Sequence, residues 1–218
     1  MWNRLTCMRR PWRVCCLLLF LLPTCSRLPR PALLPQQNAA QDLTSLGQVY
    51  QAQGKHELAL QTYYKAVQMY SSYVPAWVEI GNWHYLRQEY AQAEAVYKKI
   101  LTLDPRMAAI YNNLCWVYLS THRSLDEAER LIKRALSLNP PERYMYLDTQ
   151  AVIWIRQGKD GQALASLEEA LELTPLAAHD ALVELYQHLA EVYRHLGQDR
   201  EAQWAQGDAR HHPSQQGG

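Results

Sequence analysis

Four stretches of the chain are near-copies of one another: LGQVYQAQGKHELALQTYYKAV, IGNWHYLRQEYAQAEAVYKKIL, LCWVYLSTHRSLDEAERLIKRAL and QAVIWIRQGKDGQALASLEEAL. A shorter fifth, LAEVYRHLGQDREAQWA, follows near the end. Self-similarity at about 34 residues marks a stack of supersecondary units, none of which buries its apolar face alone. The expected fold is therefore an all-α solenoid of about five helix-turn-helix repeats, and the units occupy the length that a catalytic domain would need.

The register can be followed residue by residue. The first large apolar residue of each unit falls at Leu46, Ile80, Leu114 and Leu189, with the polar Gln150 taking its place in the fourth. The alanine of each second helix falls at Ala59, Ala93, Ala128, Ala163 and Ala202, which puts one inserted residue in the third unit and about four before the fifth. Asp104-Pro105, Asn139-Pro140 and Thr174-Pro175 end three of the units, because proline lacks an N–H and restrains the residue before it.

Most recurring residues read as packing. Gly47, Gly81, Cys115, Ala151 and Ala190 share a slot where a small side chain lets two helices approach. Tyr50, His84, Tyr118, Trp154 and Tyr193 fill the next turn, while Tyr63, Tyr97, Ile132 and Leu167 come from the partner helix. Gly54, Gly158 and Gly197 stand between the helices, where a left-handed C-cap favours glycine, and Gln88 replaces them in the second unit. Cys115 is read as a small core residue rather than a nucleophile.

This set of positions resembles the tetratricopeptide repeat (TPR) family, best in WVEIGNWHY…AEAVYKKILTLDP from Trp77 to Pro105, and the likeness runs over roughly residues 40 to 209. Departures are His84 at the usual tyrosine, Ile100 at the usual alanine and Gln150 at the usual leucine. The resemblance implies a right-handed superhelical solenoid with units at 40–73, 74–107, 108–143, 144–182 and 183–209, the last with a truncated, capping second helix. It also implies a noncatalytic protein-binding role, with no cofactor and no metal.

In that family the first helix of each pair lines a concave groove in which partner peptides lie. Counted from the matched positions, this implies groove residues Val78, Asn82, Tyr85, Leu86, Asn112, Trp116, Leu119, Asp148, Val152, Ile155 and Arg156, an apolar and aromatic middle suited to a partner segment. TPR cochaperones that hold acidic chaperone tails use a clamp of asparagines and cations. Asn82 and Asn113 match the asparagines, but Thr44, Val78, Met145 and Thr149 stand where the cations belong. A carboxylate would lack its charge-assisted partners there, so a heat-shock chaperone tail is not the expected ligand. An apolar or amphipathic peptide is.

Charge is distributed unevenly. The net charge of the 218 residues is +1, yet residues 1 to 30 hold six arginines and no acid, leaving 16 basic against 21 acidic residues in the remainder. The repeats thus carry no basic stripe of the kind that binds nucleic acid. The basic end, residues 1–26, has the layout of a secretory leader: Arg4, Arg9, Arg10 and Arg13, then an apolar run from Val14 to Leu22, then Thr24-Cys25-Ser26. That run is too short to span a bilayer as a helix. Cleavage near Ser26 gives a released protein, acylation of Cys25 in a lipobox-like LLPTC gives a membrane-anchored lipoprotein, and an uncleaved anchor or an organelle presequence stays open. Residues 27–39 read as a linker interrupted by Pro31 and Pro35, and 210–218 as a solvated tail. The expected location is secreted or periplasmic, or anchored through the leader. TPR lipoproteins of bacterial envelopes share this layout and act as pilotin-like assembly factors.

One further stripe, Glu184, His188, Glu191 and His195, lies on a single helical face. It is sterically able to gather ligands but lacks the HExxH pattern, and reads as a solvated face. No Gly-rich phosphate loop, nucleophile elbow or CxxC pair occurs.

Overall fold

The computed structural model describes residues 35–211. The leader, Cys25, residues 27–34 of the linker and the tail beyond His211 lie outside the described residues. Ten α-helices follow one another without a strand among the described residues: α1 Pro35–Ala52, α2 His56–Met69, α3 Val74–Leu86, α4 Tyr90–Leu103, α5 Ala108–Ser120, α6 Leu125–Ser137, α7 Arg143–Arg156, α8 Asp160–Leu173, α9 His179–His195 and α10 Asp199–His211. Each odd helix packs antiparallel on the even helix that follows it, and each pair packs on the next. Contacts of α1 with α3, α5 with α7 and α7 with α9, together with the Asn82–Asn113 and Tyr85–Ser120 hydrogen bonds between α3 and α5, join the odd helices into one layer.

The irregular spacings have local causes. The residue inserted in the third unit enlarges the α5–α6 turn, where His122 takes φ 51°, and the insertion before the fifth unit lengthens α9 to 17 residues. Two expected boundaries move. Residues 35–39, read as linker, form the first turn and more of α1, because Pro35 stands at the helix start, where its missing N–H would have had no partner. The second helix of the fifth unit is not truncated: α10 has 13 residues, as many as α6, and runs to His211.

The core is a chain of three clusters. One joins α1, α2 and α3 around Tyr63 and Ile80; a central one runs from Ala93 to Ile153; a third joins α7 to α10 around Leu167 and Leu189. Trp77 and Val96 pack against both the first and the second, and Leu136 against both the second and the third. Cys115 is fully buried, its Sγ–H 3.3 Å from the Ala128 carbonyl, and burial pushes its thiol pKa far up, so it packs and does not react.

Candidate functional site

Two adjoining pockets open on the odd-helix layer, and Trp116 of α5 lines both. The smaller, about 280 Å³, lies between α3 and α5 and is walled by Asn82, Tyr85, Leu86, Asn113 and Trp116, with Tyr97 entering from α4. Leu86 stands at the end of α3 with 76% of its surface exposed, although it is a large aliphatic residue. Tyr85 is held in place by an edge-on contact with Tyr90, centroids 5.7 Å apart, and by its hydroxyl 3.3 Å from Ser120 Oγ. The asparagines hold each other: Asn82 Oδ1 accepts from Tyr97 Oη–H at 2.8 Å and from Asn113 Nδ2–H at 3.2 Å. This arrangement ties the floor of the pocket to the core through Tyr97, which is 1% exposed.

The larger pocket, about 530 Å³, lies between α5, α7, the turn before α9 and the start of α9. Asn112 and Trp116 contribute from α5, Tyr144, Met145, Asp148 and Thr149 from α7, and residues 177–181 with Glu184 and Leu185 from the fifth unit. Asp148 accepts from His188 Nδ1–H at 2.6 Å. Burial acts to lower the His188 pKa, but the Asp148 hydrogen bond and charge, aided by Glu191 and Glu184, raise it above its ordinary value. Glu184 is raised too, by burial and then by the Asp148 charge.

The expected groove residues therefore divide. Asn82, Tyr85, Leu86, Asn113 and Trp116 meet in the first pocket, and Asn112, Trp116 and Asp148 in the second. Val78 is half-buried against the central cluster. Leu119, Val152 and Ile155, at 1%, 8% and 9% exposure, are core residues and present no groove surface: Leu119 of α5 is buried in the central cluster with Val152, and α7 is wedged between α5 and the long α9, so both of its flanks are covered. Arg156 donates from Nη1 to the Leu119 carbonyl at 2.8 Å, capping the end of α5. The Glu/His stripe is likewise not simply a solvated face. His188 and His195 bridge to Asp148 and Asp160, tying α9 to α7 and α8, and among the described residues no group of three or more His, Cys, Asp or Glu is placed to hold a metal ion. Sequence reading missed Tyr97, Tyr144 and the segment 177–181 as pocket walls. The last carried a signal, since the extra residues before the fifth unit fall there.

Models of the tetratricopeptide repeat match residues 44–108 and 84–150. No curated protein matches the chain. Among solved structures, the chain is similar to PilW, a widely conserved type IV pilus biogenesis factor, with 20% identity over 79% of this chain and 77% of that one and a TM-score of 0.70. It is similar to Pseudomonas aeruginosa PilF, with 21% identity over 83% and 79% and a TM-score of 0.69. It is also similar to YrrB, a TPR protein with an unusual peptide-binding site, with 17% identity over 84% and 94% and a TM-score of 0.57. The repeat register, the paired-helix solenoid and the two overlapping model matches converge: the chain belongs to the tetratricopeptide repeat family.

Proposed function

We propose that the protein is a noncatalytic interaction scaffold that holds an apolar or amphipathic peptide segment of a partner protein against its odd-helix layer. The observation that carries this reading is the pocket of Tyr85, Leu86 and Trp116, an aliphatic and aromatic surface left open on a rigid floor. Exposed apolar patches of this kind serve as docking sites, and rigid aromatic side chains bury large area at low entropic cost. Asn82 and Asn113 supply backbone hydrogen bonds to the segment. Neither nucleic acid nor the acidic tail of a chaperone suits this surface, since Met145 and Thr149 stand where cations would be needed and the neighbouring pocket is itself acidic.

The test is photo-crosslinking from position 85 or 116 in the native host, followed by mass spectrometry, with a Tyr85→Ala/Trp116→Ala variant as control. The double variant is expected to lose capture while keeping its helical circular dichroism. Undiminished capture by a folded double variant would overturn the proposal.

A second reading, an exported or lipid-anchored assembly factor for a pilus or outer-membrane complex, is favoured by the same architecture in PilW, described as a type IV pilus biogenesis factor, together with the leader-like layout of residues 1–26. No helix among the described residues is long and apolar enough to cross a membrane, and Cys25 is the anchor proposed in this reading. Labelling with radioactive palmitate, lost in Cys25→Ser, supports the anchored form; no incorporation into the unsubstituted chain removes it.

A further inference from the structure

We infer that the outer face of α1 is an interaction surface separate from the groove, and that it receives an amphipathic helix of a partner protein with a carboxylate near its start. Within the stack the second helix of each unit covers the first helix of the next, so the same kind of interface already occurs inside the molecule. In the third unit Leu114 and Val117 are 2% and 0% exposed, buried in one cluster with Ala93, Tyr97 and Ile100 of α4. Their counterparts on α1, Leu46 and Val49, are 42% and 51% exposed.

The charges say what covers this face. In every unit the backbone N–H of one turn residue, Lys55, Glu89, Arg123, Lys159 or Gln198, donates to the carbonyl of the ring residue five positions earlier, which makes these residues equivalent. Arg123 pairs with Glu94 at 2.6 Å and Lys159 with Glu129 at 3.1 Å, and each carboxylate directly follows the second-helix alanine, Ala93 or Ala128, of the unit before. Where the turn residue is not basic, at Glu89 and Gln198, the unit before carries Leu60 and Leu164 in place of that glutamate. A basic turn residue thus goes with a carboxylate on the covering helix. Lys55 is such a residue: it lies 6.0 Å from the Tyr50 ring centroid, as Arg123 lies 5.4 Å from that of Tyr118. Yet it donates to Gln53 Oε1 at 2.8 Å and forms no ion pair among the described residues. A carboxylate placed as Glu94 is would meet Lys55 and Tyr50 together, as Glu94 meets Arg123 and Tyr118.

The occupant is a different protein. Residues 1–34 hold no aspartate or glutamate, and α10, the last second helix, has Gln203 where Glu94 and Glu129 stand, so neither that segment nor the end of a second copy supplies the carboxylate. Because Glu94 at the start of α4 meets the end of α5, the partner helix runs antiparallel to α1 with its acid in the first turns, where the macrodipole also favours it. Asp42 stands where Ile110 is fully buried in the third unit, which confines the apolar contact to the later turns of α1 and disfavours a second acid at the far end of the partner helix.

The probe is the covering helix itself: a fluorescein-labelled peptide of residues 89–104, held helical by a lactam joining the side chains introduced by Ala91→Lys and Ala95→Glu, both exposed positions of α4. It is titrated into the full-length chain and followed by fluorescence anisotropy. The expected result is saturable binding, weakened about tenfold by Leu46→Ser/Val49→Ser and about tenfold by Lys55→Glu. A Glu94→Lys version of the peptide should bind the Lys55→Glu chain more tightly than the unsubstituted chain. Leu46, Val49 and Lys55 are exposed, so the variants keep the fold, which circular dichroism verifies. No binding to the full-length chain, undiminished binding by the folded variants, or equal affinity of the Glu94→Lys peptide for both chains overturns the inference. So does a dimer in sedimentation velocity that Leu46→Ser/Val49→Ser dissolves, since the occupant would then be a second copy. Tyr85→Ala/Trp116→Ala separates this surface from the groove: that variant keeps its affinity for the peptide even where crosslinking to a partner is lost, and loss of peptide binding there counts against a site on α1.

Discussion

At Gln88 the backbone takes φ 60°, the left-handed conformation that Gly54, Gly158 and Gly197 adopt at the equivalent turns with φ 71°. An L-residue there clashes with its own carbonyl and costs about 1–2 kcal/mol, and glycine avoids the clash. Gln88→Gly is therefore expected to stabilise the chain by about 1 kcal/mol in urea unfolding; no gain would mean that the Gln88 side chain supplies a compensating contact. Packing makes the opposite demand at Gly81, where an added Cβ would sit 2.5 Å from Tyr97 Cε1, an atom of a fully buried ring. Gly81→Ala should destabilise by about 1–3 kcal/mol. Tyr97→Leu in the same chain should return part of that loss, because the units that carry Ile132 and Leu167 opposite the slot tolerate Cys115 and Ala151 in it. Additive losses in the double variant would refute the pairing. This reciprocity of slot and ring was legible in the sequence, since both positions recur at a fixed separation within one unit.

Between elements, the turn-filling rings do more than occupy space. His84 lies 3.1 Å from Tyr64 Oη on α2 and Tyr118 donates to Glu94 on α4 at 3.2 Å, so both rings are tied to the second helix of the unit before. Glu129 is held at about 2 chiefly by its hydrogen bond to Lys133, against the opposing effect of burial and with help from Lys159. A depressed carboxylate stabilises the fold fully above its unfolded value of 4.5 and loses that contribution as pH falls towards 2. His188 works in the other direction. Raised above 6.5 by Asp148, it stabilises the α7–α9 contact below that pH and ceases to as pH rises through its folded value. Urea midpoints of Glu129→Gln should fall less steeply than those of the unsubstituted chain between pH 4.5 and 2. Those of His188→Gln should fall less than those of the unsubstituted chain above pH 6.5, and parallel pH profiles would dismiss either tie. None of these pairs could be read from sequence. Periodicity assigns a residue to a face, but the partner of His188 lies 40 positions away, and which face meets which depends on how one unit is rotated on the next. The same rotation explains why Leu119, Val152 and Ile155, correctly placed on first helices, are covered by their neighbours and not presented in a groove.

Across the whole molecule, helices touch only those next to them in the stack, and the three clusters are joined by a few shared residues, Trp77, Val96 and Leu136. Stability in such an array is approximately a sum of unit and neighbour terms, so a loss in one place need not be felt at a distance. The ends are the weaker parts. Leu46 and Val49 of α1 are 42% and 51% exposed, whereas their counterparts in the third unit, Leu114 and Val117, are buried at 2% and 0%. Native-state hydrogen exchange should accordingly find the slowest amides in α5 and α7 and the fastest in α1 and α10. Ile132→Ala sharpens the test, because Ile132 is fully buried in the central cluster and its truncation costs about 2–5 kcal/mol. If neighbour terms govern, protection falls by that amount through α5, α6 and α7 and much less in α1 and α2, whose cluster is reached only through Trp77 and Val96. If the array instead unfolds as one cooperative unit, every slow amide loses protection equally. That result would mean that the shared residues couple the clusters far more strongly than their number suggests, and that the odd-helix layer is held rigid along its length by a single transition.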